Sequence, residues 1–101
     1  MKRRPADPDQ SHDAVDGLAD AMLRLSSVPQ LRAFLEDLCT PAELEAMCDR
    51  WKVVPLLAEG VPYREIHDRT LVSVTTIGRV ARTLERGAGG YQAALVRLAS
   101  G

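Results

Sequence analysis

A chain of 101 residues, 46% hydrophobic and 27% charged, has the length and composition of one globular domain and no more. It holds no apolar run near the roughly 20 residues that span a bilayer. The net charge of −1 argues against a uniformly basic nucleic-acid binder. The charge is uneven, however: residues 1–59 carry seven Lys/Arg against eleven Asp/Glu, and residues 60–101 carry six Arg against three acids. A local excess of this kind is what a phosphate-binding face needs.

In chain order, residues 1–10 hold two prolines and no periodicity, and read as a disordered arm whose KRR could touch phosphates. The basic opening has no apolar core behind it, so no secretory signal and a cytoplasmic location are expected. Residues 11–101 read as a single all-α domain of about six helices. The first starts at a Ser11 cap and carries Val15, Leu18, Ala19, Met22, Leu23 and Leu25 on an apolar face. Ser26-Ser27 ends it. Pro29 suits the first turn of the second helix, which presents Leu31, Phe34, Leu35 and Leu38.

Thr40-Pro41-Ala42-Glu43 is the clearest helix start, with a threonine cap, proline in the first turn and a glutamate to complete a capping box. The third helix runs to Glu59, with Leu44, Met47, Cys48, Trp51, Val54 and Leu56 or Leu57 inward. Pro55 predicts a kink near 51–55, and Gly60 a C-terminal cap. A short helix over about Pro62–Asp68 follows, then a Leu71-Val72 turn. Ser73 caps a fifth helix to about Arg86, with Ile77, Val80, Ala81 and Leu84 inward. Gly87-Ala88-Gly89-Gly90 stops it, and Tyr91–Ala99 forms the last helix, with Tyr91, Leu95 and Leu98 apolar.

The Gly60–Arg86 stretch therefore has the layout of a helix-turn-helix, in which one helix positions a second in the major groove of DNA. Thr75, Thr76 and Arg79 lie on the exposed start of the second helix and are the candidate base readers, since arginine pairs bidentately with guanine and a threonine methyl meets thymine. Ser73, with the amides after it, and the cations Arg64, Lys52 and Arg82 are candidate phosphate contacts, as is Arg69. Three features weaken the motif. Leu71 or Val72 stands where a turn prefers glycine, Pro62 offers no side-chain cap, and Gly78 costs about 1 kcal/mol inside a helix. They predict a loosely ordered reader.

Other chemistry finds little support. Cys39 and Cys48 read as reduced core thiols, and His67 as polar surface. His12 and His67 form no metal-spaced cluster, and no metal or other cofactor is expected. No nucleophile–base set emerges, so the chain does not read as an enzyme. Two other readings stay open. One is a dimeric protein-interaction module with a degenerate reader. The other is a small arginine-based helical enzyme like the chorismate mutases, gripping a dicarboxylate with Arg50, Arg79 and Arg82.

The segments TPAELEAM, YREI, TIGRVARTL and GAGGY, within about Leu31–Leu98, resemble the Trp repressor-like superfamily and its YerC/YecD branch of small regulators. The resemblance implies an intertwined homodimer with two readers, bound to double-stranded DNA at a palindromic operator. It also implies an effector pocket, matched here by Thr40, Arg50, Arg79 and Thr83. Where tryptophan-responsive members have a glycine under the indole, this chain has Val80. Overfilling a packed site costs about 1–3 kcal/mol, so tryptophan is not expected to bind, and the effector is unknown.

Overall fold

The computed structural model describes residues 8–100. Their regular structure is entirely helical: α1 Pro8–Arg24, α2 Val28–Leu38, α3 Pro41–Ala58, α4 Tyr63–Thr70, α5 Val74–Arg86 and α6 Gly90–Ser100. The chain divides into two compact units between Thr40 and Pro41.

In the first unit, α1 begins at Pro8, ahead of the expected Ser11 cap. Proline carries a preset helical φ and lacks only an N–H that the first turn cannot use, so it suits this position. Residues 8–10 are thus helical, and the KRR segment lies outside the described residues. Ser27 caps α2, a role its sequence position did not reveal. Its hydroxyl accepts from the Gln30 amide at 3.2 Å, and Gln30 Oε1 accepts from the Ser26 amide at 2.9 Å. This reciprocal pairing satisfies two amides that a helix start otherwise leaves bare. The apolar stripes of this unit are only partly covered. Val15 and Leu23 on α1 are 66% and 84% exposed. On α2, Leu31, Phe34 and Leu35 are half-buried, while Leu38, expected inward, is exposed.

The second unit is built on α3. Its C-terminus closes in a Schellman motif, in which Gly60 N–H donates to Leu57 O and Val61 N–H to Leu56 O, both at 3.0 Å. Gly60 takes φ +84, which the reversal requires and a Cβ would oppose. The helix runs unbroken through Pro55. It buries Val53 and Val54 completely. Met47 and Cys48, expected inward, are exposed, and Val53, missed by the periodicity, is core. Neither cysteine is in a disulfide, and the half-buried Cys39 and exposed Cys48 are not the core thiols expected.

Ile66 from α4, Val72 from the turn, and Ile77 and Val80 from α5 complete a six-residue aliphatic core with the two α3 valines. Burying each contributes about 1.5–3 kcal/mol. Helix α6 joins through Tyr91, whose ring centroid lies 6.4 Å from that of Trp51, and through Gln92 Nε2, which donates to Leu84 O at 3.2 Å. Leu95 packs against the core, but Leu98 is exposed.

Two glycines on and after α5 differ in what they demand. A Cβ at Gly78 would meet only Tyr63 Cε2, at an ordinary 3.9 Å, whereas one at Gly87 would lie 2.5 Å from the Thr83 carbonyl oxygen. Gly78→Ala is expected to stabilise the fold by about 1 kcal/mol and raise Tm by about 4–8 °C. Gly87→Ala is expected to lower Tm. Thermal melts followed by circular dichroism read both signs.

Candidate nucleic-acid interface

The turn between α4 and α5 is three residues, Leu71 to Ser73, and its geometry follows from one buried side chain. Val72 is only 5% exposed and plugs into the core. To bring it there directly after α4, the backbone must reverse at Leu71, which adopts φ 65, ψ 11. Leucine in this left-handed region costs about 1–2 kcal/mol. The turn is then pinned from both sides. Leu71 N–H donates to His67 O at 2.8 Å, Val72 N–H to Thr70 Oγ1 at 3.1 Å, and Thr70 Oγ1 to Ile66 O at 2.7 Å. His67 Nδ1 lies 2.8 Å from the Val72 carbonyl oxygen, so that nitrogen carries the proton and donates. The expectation that His67 is mere polar surface is corrected: the ring is half-buried and holds the turn. The available signal was its place in the last turn of α4, where histidine can reach carbonyls.

Pro62 starts α4 with no side-chain cap, as expected. Ser73 caps α5. Its hydroxyl accepts from the Thr76 amide at 3.1 Å and donates to Thr76 Oγ1 at 3.1 Å. With the Ile77 amide bonded to Ser73 O, the Val74 and Thr75 amides have no acceptor among the described residues. They form the positive end of the helix.

Along the outer face of α5, Thr75, Arg79, Arg82 and Arg86 follow at steps of four, three and four residues. This spacing keeps them on one stripe about 16 Å long. All four are exposed. Arg79, Arg82, Thr83, Arg86 and Gly87 line a shallow groove of about 230 Å³. No described residue pairs with any of the three arginines. Elsewhere four cations are paired on their own helices, Arg24 with Asp20 at 2.9 Å, Arg32 with Glu36 at 2.8 Å, Lys52 with Asp49 at 3.6 Å and Arg69 with Glu65 at 3.3 Å, while Arg50, Arg64 and Arg97 have no ion pair among the described residues. Like charges three and four residues apart destabilise a helix by about 0.2–0.5 kcal/mol per pair. Helix α5 therefore carries a modest repulsion that an anion would relieve.

Of the residues expected to touch DNA, Ser73, Thr75, Thr76, Arg79 and Arg82 are brought together on α5 and its cap. Arg64 is exposed on α4, and Lys52 is exposed on α3. Two of the four expected effector residues lie together. Arg79 and Thr83 meet in the groove on α5, Arg50 is half-buried on α3 and does not line that groove, and Thr40 closes the first unit. Val80 is 1% exposed and belongs to the aliphatic core.

A model of the Trp repressor protein family matches residues 13–99, nearly the whole described chain. The chain belongs to the Trp repressor family. It is 36% identical over 84 residues to the uncharacterized protein YerC of Bacillus subtilis (strain 168), covering 83% of this chain and 81% of that one. A crystal structure of a TrpR-like protein from Eubacterium eligens superposes with a TM-score of 0.80 at 36% identity, over 86% of this chain and 90% of that chain. A second, from Staphylococcus aureus, gives 0.79 at 34% identity over 85% and 86%. The described residues of this Trp repressor-family chain are therefore all-helical outside their turns, and α4, the Leu71–Ser73 turn and α5 have the layout of a helix-turn-helix.

Two side chains hold the geometry of the α4–α5 turn from outside the core. Ser73→Ala removes the α5 cap and is expected to cost about 1 kcal/mol. His67→Ala removes the bond to the Val72 carbonyl and is expected to cost about 1 kcal/mol as well. Urea unfolding at fixed pH measures both, and Ser73→Asn, which can still cap, should keep wild-type stability.

Proposed function

We propose that this chain is a transcription regulator that binds double-stranded DNA as a homodimer, placing two copies of α5 in successive major grooves of a palindromic operator. The observation that carries the reading is the unpaired arginine stripe of α5. Among the described residues, four cations on other helices have carboxylate partners, yet Arg79, Arg82 and Arg86 share one exposed face with none. A DNA duplex supplies the missing anions.

Within this reading, Thr75, Thr76 and Arg79 contact base edges, Thr76 through its methyl and through the O–H it keeps while its oxygen accepts from Ser73. Arg82, Arg64 and Lys52 contact phosphates. Lys52 can exchange its exposed pair with Asp49, which is worth at most about 1 kcal/mol, for a phosphate. Ser73 serves through the amides of the turn it caps. The exposed Val15, Leu18 and Leu23 of α1 and Leu38 of α2, with Val96 and Leu98 on α6, support the dimer, because a chain this small needs further burial to be stable.

The burial of Val80 supports a regulator that does not respond to tryptophan. A side chain committed to the core leaves no floor for an indole against α5. Thr40, Arg50, Arg79 and Thr83 would line the pocket of any other effector.

Two measurements test these statements. Equilibrium binding to duplex DNA, titrated with salt, is expected to give a slope of log K against log salt near −5. This is the value for about six neutralised phosphates per dimer. Arg79→Ala should weaken specific binding more than nonspecific binding, and Arg82→Ala should weaken both alike. A flat salt response, or no duplex binding, would instead favour a protein-interaction module. Calorimetric titration with L-tryptophan is expected to show no saturable heat at micromolar concentrations, and saturable binding lost in Arg50→Ala would reverse the effector assignment.

A further inference from the structure

Two apolar side chains of the reader have no place in the core. Leu71 is 82% exposed and Val74 is 52% exposed, and they flank the buried Val72 and the Ser73 cap. Leu71 is also the one non-glycine residue with positive φ among the described residues. Glycine or asparagine would make the same reversal with less strain. The sequence thus holds an outward-facing leucine in the conformation leucine favours least. An outlier of this kind points to a use for its side chain.

The neighbours of these side chains say what that use is. Immediately after them come the unbonded Val74 and Thr75 amides, the exposed Thr75 and the unpaired Arg79. An apolar protein surface closing over this tip would strip water from those donors and charges without replacing it. The major groove of DNA answers both kinds of group. Phosphates and base acceptors meet the donors, and the 5-methyl group of thymine is the one apolar feature on its floor.

We propose that Leu71 and Val74 read sequence by apolar contact with thymine methyl groups, beside the hydrogen bonds made by Arg79. The inference rests on the DNA-binding reading above and adds the base class that the turn selects. It also accounts for a leucine at the strained position, since glycine there would relieve the backbone and lose the contact.

The test uses the full chain and duplexes it enriches from a random pool. Each enriched duplex is resynthesised with deoxyuridine for thymidine, which removes the methyl and keeps base pairing. Wild-type protein is expected to lose about four-fold in affinity per contacted methyl. Leu71→Asn and Val74→Ser are each expected to discriminate less between the two duplexes than wild type, and the double variant less than either single one, keeping only what the Thr75 and Thr76 methyls supply. Leu71→Asn should melt no lower than wild type, because asparagine tolerates the left-handed backbone. Equal wild-type affinity for both duplexes overturns the proposal while leaving the DNA-binding reading intact. Enrichment of no duplex overturns both. A Leu71→Asn protein that sediments as a monomer where wild type is a dimer assigns the leucine to a contact between copies of the chain, and also overturns the proposal.

Discussion

Six aliphatic side chains fix the direction in which α5 faces. Val53 and Val54 come from α3, Ile66 from α4, Val72 from the turn, and Ile77 and Val80 from α5. Because Ile77 and Val80 are three residues apart on α5 and both fully inward, the opposite face of that helix is fixed as well. Thr75, Arg79, Arg82 and Arg86 are on the outside because the two core positions leave them nowhere else to be. The position of the charge therefore depends on the packing of neutral atoms. Changing the core by a methylene would be felt at the arginines, since close-packed interiors transmit such strain.

The same core sets the strain in the turn. Val72 must reach the interior, and only three residues separate α4 from α5. Leu71 absorbs the reversal by entering the left-handed region, and His67, Thr70 and Ser73 secure the polar groups that the reversal exposes. Burial of one valine thus accounts for a backbone outlier, a histidine with a structural role and an outward leucine. The reader is weakly favoured by its own local sequence, yet the structure holds it by core contacts and turn hydrogen bonds. Secondary-structure preference is a weak prior that tertiary packing overrides.

The second unit was largely legible from the residues. Pro41 opening α3, Gly60 closing it, Ser73 capping α5, and Ile77 and Val80 inward are local signals with strong stereochemical meaning. Less legible were the features that depend on more than one helix. Helix α3 is apolar on more than one side, so periodicity could not choose Val53 over Met47 and Cys48. The Ser27 cap was hidden because Ser26 and Ser27 together read as a helix end, and one of them serves as the next helix start. The stripe on α1 is legible as apolar. The exposure of its Val15, Leu18 and Leu23 within one chain is not, because a sequence does not say whether an apolar face meets its own chain or another. Of the site, the arginines were visible by spacing. Their lack of partners was not, since pairing depends on rotamers and on which acids lie within reach.

That lack of partners resolves the apparent conflict between a net charge of −1 and a polyanionic ligand. A carboxylate and a cation held within 4 Å cancel each other beyond a few ångströms, and salt screens what remains over about 8 Å. Four such pairs remove the local fields of Arg24, Arg32, Lys52 and Arg69 together with four acids. The field near α5 is then set by the guanidiniums that stay uncompensated, not by the sum over the chain. Those guanidiniums repel one another along the helix, which slightly disfavours the folded reader until an anion lies against it. An anion that binds only the folded form also stabilises it by mass action. Relief of repulsion is concentrated from Arg79 onward, whereas the Ser73 cap already secures the first turn. Phosphate contact should therefore firm the C-terminal half of α5 more than its beginning.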